Sequence, residues 1–296
     1  MYDRILVPLD GSEASEVVIP YVEEIAAKSE GEIVLVSVSE IENAELDHVY
    51  RPYLDQLTSR IQSKLEDWGE DKRFWVSSDC IMGNAAAEIV RYADENDMNL
   101  IAMAAKGSSG TGPWLLGNIV AKVLRATGKP VLLIRKPASD SSISQRTIIK
   151  RVLVPLDGSE FGEGAIPHVK ALARVLDIEI LLLHVVEPVV TAGVAGLASV
   201  TFPTAKEEAS RLISAIDYLN EVENELKNEG LTVSSESISG SAAEQIITYS
   251  EENGIDLIAM STHGRSGIGR WVFGSVTDKV LHAGNVSVLT VRASAK

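Results

Sequence analysis

The residues best suited to chemistry lie in one run, Met260-Ser261-Thr262-His263-Gly264-Arg265-Ser266-Gly267-Ile268-Gly269-Arg270-Trp271-Val272-Phe273-Gly274-Ser275. Glycines at 264, 267, 269 and 274 let the backbone turn tightly and bring its amides up to a ligand, and such a nest of amides binds phosphate. Gly274-Ser275 then opens a helical pattern through Val276 and Leu281, so a serine hydroxyl and free amides at a helix N-terminus point at the same anion. A purely structural loop and cap would also use glycines, but the position directly after a strand favours a ligand.

The run has a partial echo earlier in the chain, Met103-Ala104-Ala105-Lys106-Gly107-Ser108-Ser109-Gly110-Thr111-Gly112-Pro113-Trp114-Leu115-Leu116-Gly117-Asn118. Echoes extend further. Arg151 to Glu160 repeats Arg4 to Glu13 with a single valine-for-isoleucine change, so the chain is one domain written twice. Arg4 answers Arg151 at an offset of 147, whereas Met103 answers Met260 at 157, so the second copy carries ten extra residues. They fall after the second strand, and the apolar stretch Thr191 to Phe202 is the expected insertion, with a packing segment as its default role and a lid or partner flap as alternatives.

The elements that must position these loops follow from periodicity. In copy one, strands are expected at Tyr2–Leu9, Ile33–Val38, Phe74–Cys80, Leu100–Ala104 and Val131–Ile134. Helices are expected at Glu13–Ala27, near Tyr53–Trp68, at Ala85–Glu95 and at Gly117–Ala126. Strict alternation of strand and helix predicts an α/β fold: two tandem doubly wound domains, each a five-stranded parallel sheet with helices on both faces. Ligands of such sheets bind beyond the carboxyl ends of the strands where the strand order reverses, here expected between strands one and four. The expected division is a first domain over 1–137, a polar linker over 138–149 and a second domain over 150–296.

A formal charge of −15 argues against broad contact with nucleic acid or anionic membrane. No apolar run approaches a membrane span, and the lone Cys80 can form no internal disulfide, which together point to a reducing cytoplasm. Asp10 and Asp157 each precede Gly-Ser at a strand end, where an aspartate is commonly a turn former but here faces the expected crevice. Arg265 is the favoured phosphate-pairing arginine over Arg270. His184 and His263 read as hydrogen-bonded structure, because no nucleophile has a matching partner, and no catalytic residue is named. No cluster has metal-ligand spacing, so any Mg²⁺ would arrive with a phosphate-bearing ligand.

The Pro-Leu-Asp-Gly-Ser run after strand one, together with Gly264, nine residues and Gly274-Ser275, resembles the universal stress proteins of the nucleotide-binding branch. That family's signature begins with a further glycine, where this chain has Ser261. The resemblance covers nearly the whole chain as two copies, and it implies the adenine-nucleotide α-hydrolase-like architecture and ATP, or ADP or AMP, at the crevice. It would place Asp157 near the adenosine and metal-phosphate region and Val185 and Met260 around the base. Gly264, Gly267, Gly274 and Ser275 would hold ribose and phosphates, followed by Val276 and Thr277. In copy one the matching positions are Asp10, Val38, Met103, Gly107, Gly110, Gly117 and Asn118, with Asn118 replacing the serine, so nucleotide is expected mainly in the second domain. The resemblance also implies pairing of the two final strands, Val131–Ile134 and Val288–Val291, as an intramolecular pseudo-dimer. Association of whole chains as a homodimer and an unidentified protein partner stay open. Three functions remain: a nucleotide-binding regulatory or stress-response module, a slow ATPase or adenylyl-transfer enzyme, and a non-nucleotide scaffold.

Overall fold

The structure, a computed structural model, describes residues 1–39, 44–64, 74–106, 116–135, 148–188, 204–262 and 273–292. In the first half these form β1 (Arg4–Pro8), α1 (Glu13–Glu16), α2 (Ile19–Ser29), β2 (Glu32–Ser39), α3 (Ala44–Ser63), β3 (Trp75–Met82), α4 (Ala85–Glu95), β4 (Leu100–Ala104), α5 (Asn118–Ala126) and β5 (Val131–Ile134). The second half repeats the order with β6 (Arg151–Pro155), a 3₁₀ turn at Gly162–Ala165, α6 (Ile166–Val175), β7 (Glu179–Val186), α7 (Ala205–Asn228), β8 (Thr232–Ser239), α8 (Ala242–Glu252), β9 (Leu257–Ser261), α9 (Ser275–Ala283) and β10 (Ser287–Val291).

Two elements differ from the periodic reading. The helix expected over Glu13–Ala27 is broken into α1 and α2, because Pro20 has no N–H to donate to Glu16 and instead sits in the first turn of a new helix. The helix expected from Tyr53 starts at Ala44 and runs through Pro52, forgoing one backbone bond. It ends at Ser63, and the stretch around Trp68 lies outside the described residues.

The ten strands form one sheet in the order β3-β2-β1-β4-β5-β10-β9-β6-β7-β8. Each half is parallel with order 3-2-1-4-5, so β1 lies beside β4 and β6 beside β9 at the two reversal points. The halves join where β5 and β10 pair antiparallel, Leu132 opposite Leu289. β2 and β7 end at Ser39 and Val186, 147 residues apart, while β3 and β8 begin at Trp75 and Thr232, 157 apart. The ten added residues therefore lie between β7 and β8. The stretch 189–203, which contains the expected insertion, falls outside the described residues.

Strand side chains alternate between two apolar layers that run across both halves. Val7, Leu35, Leu54, Ile61, Val154, Leu182 and Leu219 fill the layer under α2, α3, α6 and α7. Leu6, Val36, Ile101, Leu153, Ile258 and Val280 fill the layer under α4, α5, α8 and α9. Cys80 is half-buried against the first layer.

Polar contacts lock the halves together. Of the expected linker, 138–147 lies outside the described residues, whereas Ile148 and Ile149 are buried and donate their amides to Glu24 Oε2 at 2.9 and 3.4 Å. Glu24 is itself fully buried and accepts from Lys28 Nζ at 2.8 Å. Tyr2 hydroxyl meets His168 Nδ1 at 2.8 Å, and burial holds the histidine below its ordinary pKa. Beyond the central strands the arginines cross. Arg135 reaches Val280 O at 3.4 Å and also Leu281 O, near the C-terminus of α9, while Arg292 reaches Thr127 O, the end of α5, at 3.4 Å. Each half thus caps the last helix of the other.

Candidate functional site

Reversal of strand order splays the loops after β6 and β9 in opposite directions, and beyond the strand ends lies a cavity of about 750 Å³. Its floor is made by the strand ends themselves. Pro155 and Leu156 end β6, Val185 and Val186 end β7, and Met260 and Ser261 end β9. Asp157, Val185, Met260, Gly274, Ser275, Val276 and Thr277 all line it, so the residues singled out in the second copy converge wherever they are described. Gly264, Arg265 and Gly267, with His263 and Arg270, lie outside the described residues.

Asp157 begins a tight turn in which its Oδ1 accepts from Ser159 N at 3.1 Å and Ser159 Oγ at 2.6 Å. Gly158 supports the turn with φ of +77°, a conformation costly for other residues. A Cβ at Gly162 would stand 2.5 Å from Asp157 Oδ1, so the absence of a side chain there lets the carboxylate sit against the backbone. The turn-forming reading of Asp157 is therefore met in full, and the same side chain also faces the cavity.

The β9 side ends in a helix start. Gly274 donates its amide to Thr262 O at 2.9 Å and occupies the N-cap of α9 with no side-chain cap, which makes Ser275 the first helical residue. The first-turn amides of Ser275, Val276 and Thr277 have no intrahelical acceptor and open toward the cavity, where the helix dipole favours negative charge. Thr277 hydroxyl is already used: it is buried and donates to Ser261 O at 3.0 Å, tying the helix to the strand end. At this position its amide rather than its hydroxyl is the ligand-facing group.

A wall escaped the sequence reading. Ser210, Arg211, Ser214, Ala215 and Tyr218 of α7 line the cavity from one face of the sheet, and Ala242 and Ile246 of α8 from the other. His184 is buried at this wall with its ring edge-on to Tyr218, centroids 6.1 Å apart, and Tyr218 hydroxyl donates to Glu163 Oε1 at 2.8 Å. Glu187 accepts from Ala242 N at 3.0 Å and so caps α8 from the neighbouring loop. The signal was present in the comparison of the copies. Tyr53 hydroxyl donates to Glu16 Oε1 just as Tyr218 hydroxyl donates to Glu163 Oε1, which sets α3 and α7 in register at 165 residues and puts Ala215 where copy one has Tyr50.

The copy-one positions keep the same backbone. Asp10 Oδ1 accepts from Ser12 N at 3.1 Å, Met103 is buried and Val38 half-buried at the strand ends, and Gly117 N donates to Ala105 O at 2.9 Å. Asn118 is exposed and is the first residue of α5, with Gly117 at the N-cap, so its side chain lies one residue inside the helix, past the capping position. Gly107 and Gly110 lie outside the described residues. Over the turn, a Cβ on Gly11 would lie 3.5 Å from the Tyr50 ring. Among the described residues no group of three His, Cys, Asp or Glu side chains converges to hold a metal, and no helix is long and apolar enough to cross a membrane.

This arrangement has counterparts among known proteins. A universal stress protein of Methanocaldococcus jannaschii is 31% identical over 153 residues, covering 48% of this chain and 94% of that protein. One from Mycobacterium bovis is 26% identical over 226 residues, covering 76% of this chain and 72% of that protein. The crystal structure of a universal stress protein from Archaeoglobus fulgidus superposes over 99% of this chain and 100% of its own length with a TM-score of 0.69, at 22% identity, and so agrees in fold. The model of the universal stress protein family matches twice, over residues 1–135 and 149–292, and the chain accordingly belongs to that family, with its fold unit present in tandem.

Proposed function

We propose that the second half of the chain binds an adenine nucleotide, ATP or its products ADP and AMP, and that occupancy biases a conformation or a protein partner in a regulatory, stress-response role. The observation that carries this reading is the convergence, on one cavity, of an apolar cleft and an unsatisfied helix N-terminus. Its volume of about 750 Å³ lies within the range of small-molecule sites, roughly 300–1,000 Å³. Val185, Ile246 and Met260 offer apolar contact to a base, and Asp157 offers an acceptor for ribose hydroxyls. The amides of Ser275, Val276 and Thr277 with the Ser275 hydroxyl receive phosphate, and Gly264, Gly267 and Arg265 are assigned to the same end. Mg²⁺ would enter bound to the phosphates.

In this reading residues 1–137 and 150–296 are the two domains, joined by 138–149 and paired through β5 and β10 as an intramolecular pseudo-dimer, with a weaker or altered site in the first. Calorimetric titration of nucleotide-stripped protein with Mg-ATP tests it. One site per chain, lost in Gly274→Val, is the expected result. Two sites would show that copy one binds despite Asn118, and no heat with ATP, ADP or AMP would leave an interaction scaffold as the better reading.

A further inference from the structure

Among the described residues, Arg211 is a cation without a counter-ion. It is half-buried on α7, lines the cavity, and makes no hydrogen bond or ion pair among the described residues. That is unexpected in a chain with 42 acidic against 27 basic residues, where Arg4, Arg60, Arg91 and Arg151 each pair with a glutamate. Carboxylates are close in sequence. Glu207, one helical turn earlier at the favourable i,i+4 spacing, is instead turned back to the helix start, where its Oε2 accepts from Thr204 N and Thr204 Oγ1, each at 2.8 Å. Glu163, whose counterpart in copy one takes both Tyr53 and Arg60, is engaged by Tyr218. One turn further along, the buried Ala215 stands where copy one has Tyr50, whose ring lies over the Gly11 turn.

α7 covers the opposite face of the sheet from α9, so Arg211 lines the cavity from the face away from α9. We propose that Arg211 is a specificity-determining residue that reads anionic charge, making this a site for phosphorylated adenine nucleotides in preference to adenosine. The inference rests on the nucleotide reading of the cavity and adds to it a residue on α7 and a reason for discrimination. A guanidinium supplies planar, always-charged donors that match phosphate oxygens.

The test compares Mg-ATP and adenosine binding by calorimetry in wild type, Arg211→Gln and Arg211→Lys, with thermal melts confirming that each variant is folded. Arg211→Gln should weaken ATP about tenfold while leaving adenosine unchanged, the size expected for a lost charge-assisted hydrogen bond. Arg211→Lys should retain part of the preference, and added salt should weaken ATP binding more in wild type than in Arg211→Gln. An unchanged ratio of ATP to adenosine affinity, including an equal loss of both, overturns the assignment of Arg211 while leaving the nucleotide site in place. Wild-type protein that binds neither ligand removes the nucleotide reading itself, and this inference with it.

Discussion

At the same place over the strand ends, α3 carries Tyr50 and α7 carries Ala215, while one turn on Tyr53 and Tyr218 make the same bond to Glu16 and Glu163. The strands beneath are nearly interchangeable. Val7, Leu35 and Ile101 are matched by Val154, Leu182 and Ile258, all buried, and Asp10 and Asp157 make the same turn with the following serine. The first helix brings the Tyr50 ring over the Asp10 turn, 3.5 Å from where a Cβ on Gly11 would lie, and buries Leu54 and Leu57 in the layer below. The second uses smaller and more polar residues and leaves part of a cavity wall. Duplicated domains can therefore differ at the strand ends without altering a strand, because the helix over them sets an aromatic ring against the turn in one copy and a small residue beside the cavity in the other.

The sharpest way to break this contrast is Gly274→Val, which should abolish nucleotide binding in the second half while far-ultraviolet circular dichroism stays native; an undiminished calorimetric signal would remove Gly274 from the site. Next in size, Leu57→Ala should cost about 2–5 kcal/mol in a denaturant melt, because a buried leucine leaves a void in a sealed layer. In the second half, Ala215→Leu should weaken nucleotide binding by filling the cavity, and unaltered affinity would show that this wall is not in contact with ligand. Arg135→Gln should lower stability by about 1.5–3 kcal/mol, since it removes a charged cap that the other half supplies to the α9 carbonyls. Burial already lowers that guanidinium to about 10, so its bonds to the α9 carbonyls are what offset its desolvation. Asn118→Ser should strengthen binding in the first half; no change in the titration would mean that the α3 wall, not Asn118, limits that site.

The smallest expected effect concerns the contact between halves. His168 is held below its ordinary pKa by burial, so the unfolded chain binds more protons there than the folded one as the medium is acidified. Its contribution is unchanged well above about pH 6.5 and becomes unfavourable as pH falls below that value. Thermal melts on both sides of that pH should show less acid sensitivity in His168→Gln than in wild type. Equal slopes would place the acid response in other groups.

Much of this was legible from residue order. The repeat of Arg4 to Glu13 at Arg151 to Glu160 announced two equivalent units, and the near-continuous apolar run Ile33–Val38 announced a strand covered on both faces. The Gly-Ser pairs after strand one and before the last helix marked where a ligand could approach. These signals are local, because period, turn chemistry and glycine freedom act within a few residues. The break between α1 and α2 was written in Pro20 as well, although a stripe of apolar residues on one face concealed it.

Pairing of β5 with β10 could be expected from unpaired edges, but its antiparallel register and the crossed arginines Arg135 and Arg292 depend on contacts more than 140 residues apart. Only the fold brings Arg211 to the cavity, turns Glu207 back to Thr204, assigns Thr277 hydroxyl to Ser261 and places Gly117 rather than Asn118 at a helix cap. Sequence thus determined the elements, their duplication and the loops that can bind. Tertiary structure decided which side chains are already committed and which remain for a ligand, because that depends on the distance between groups that chain order does not bring together.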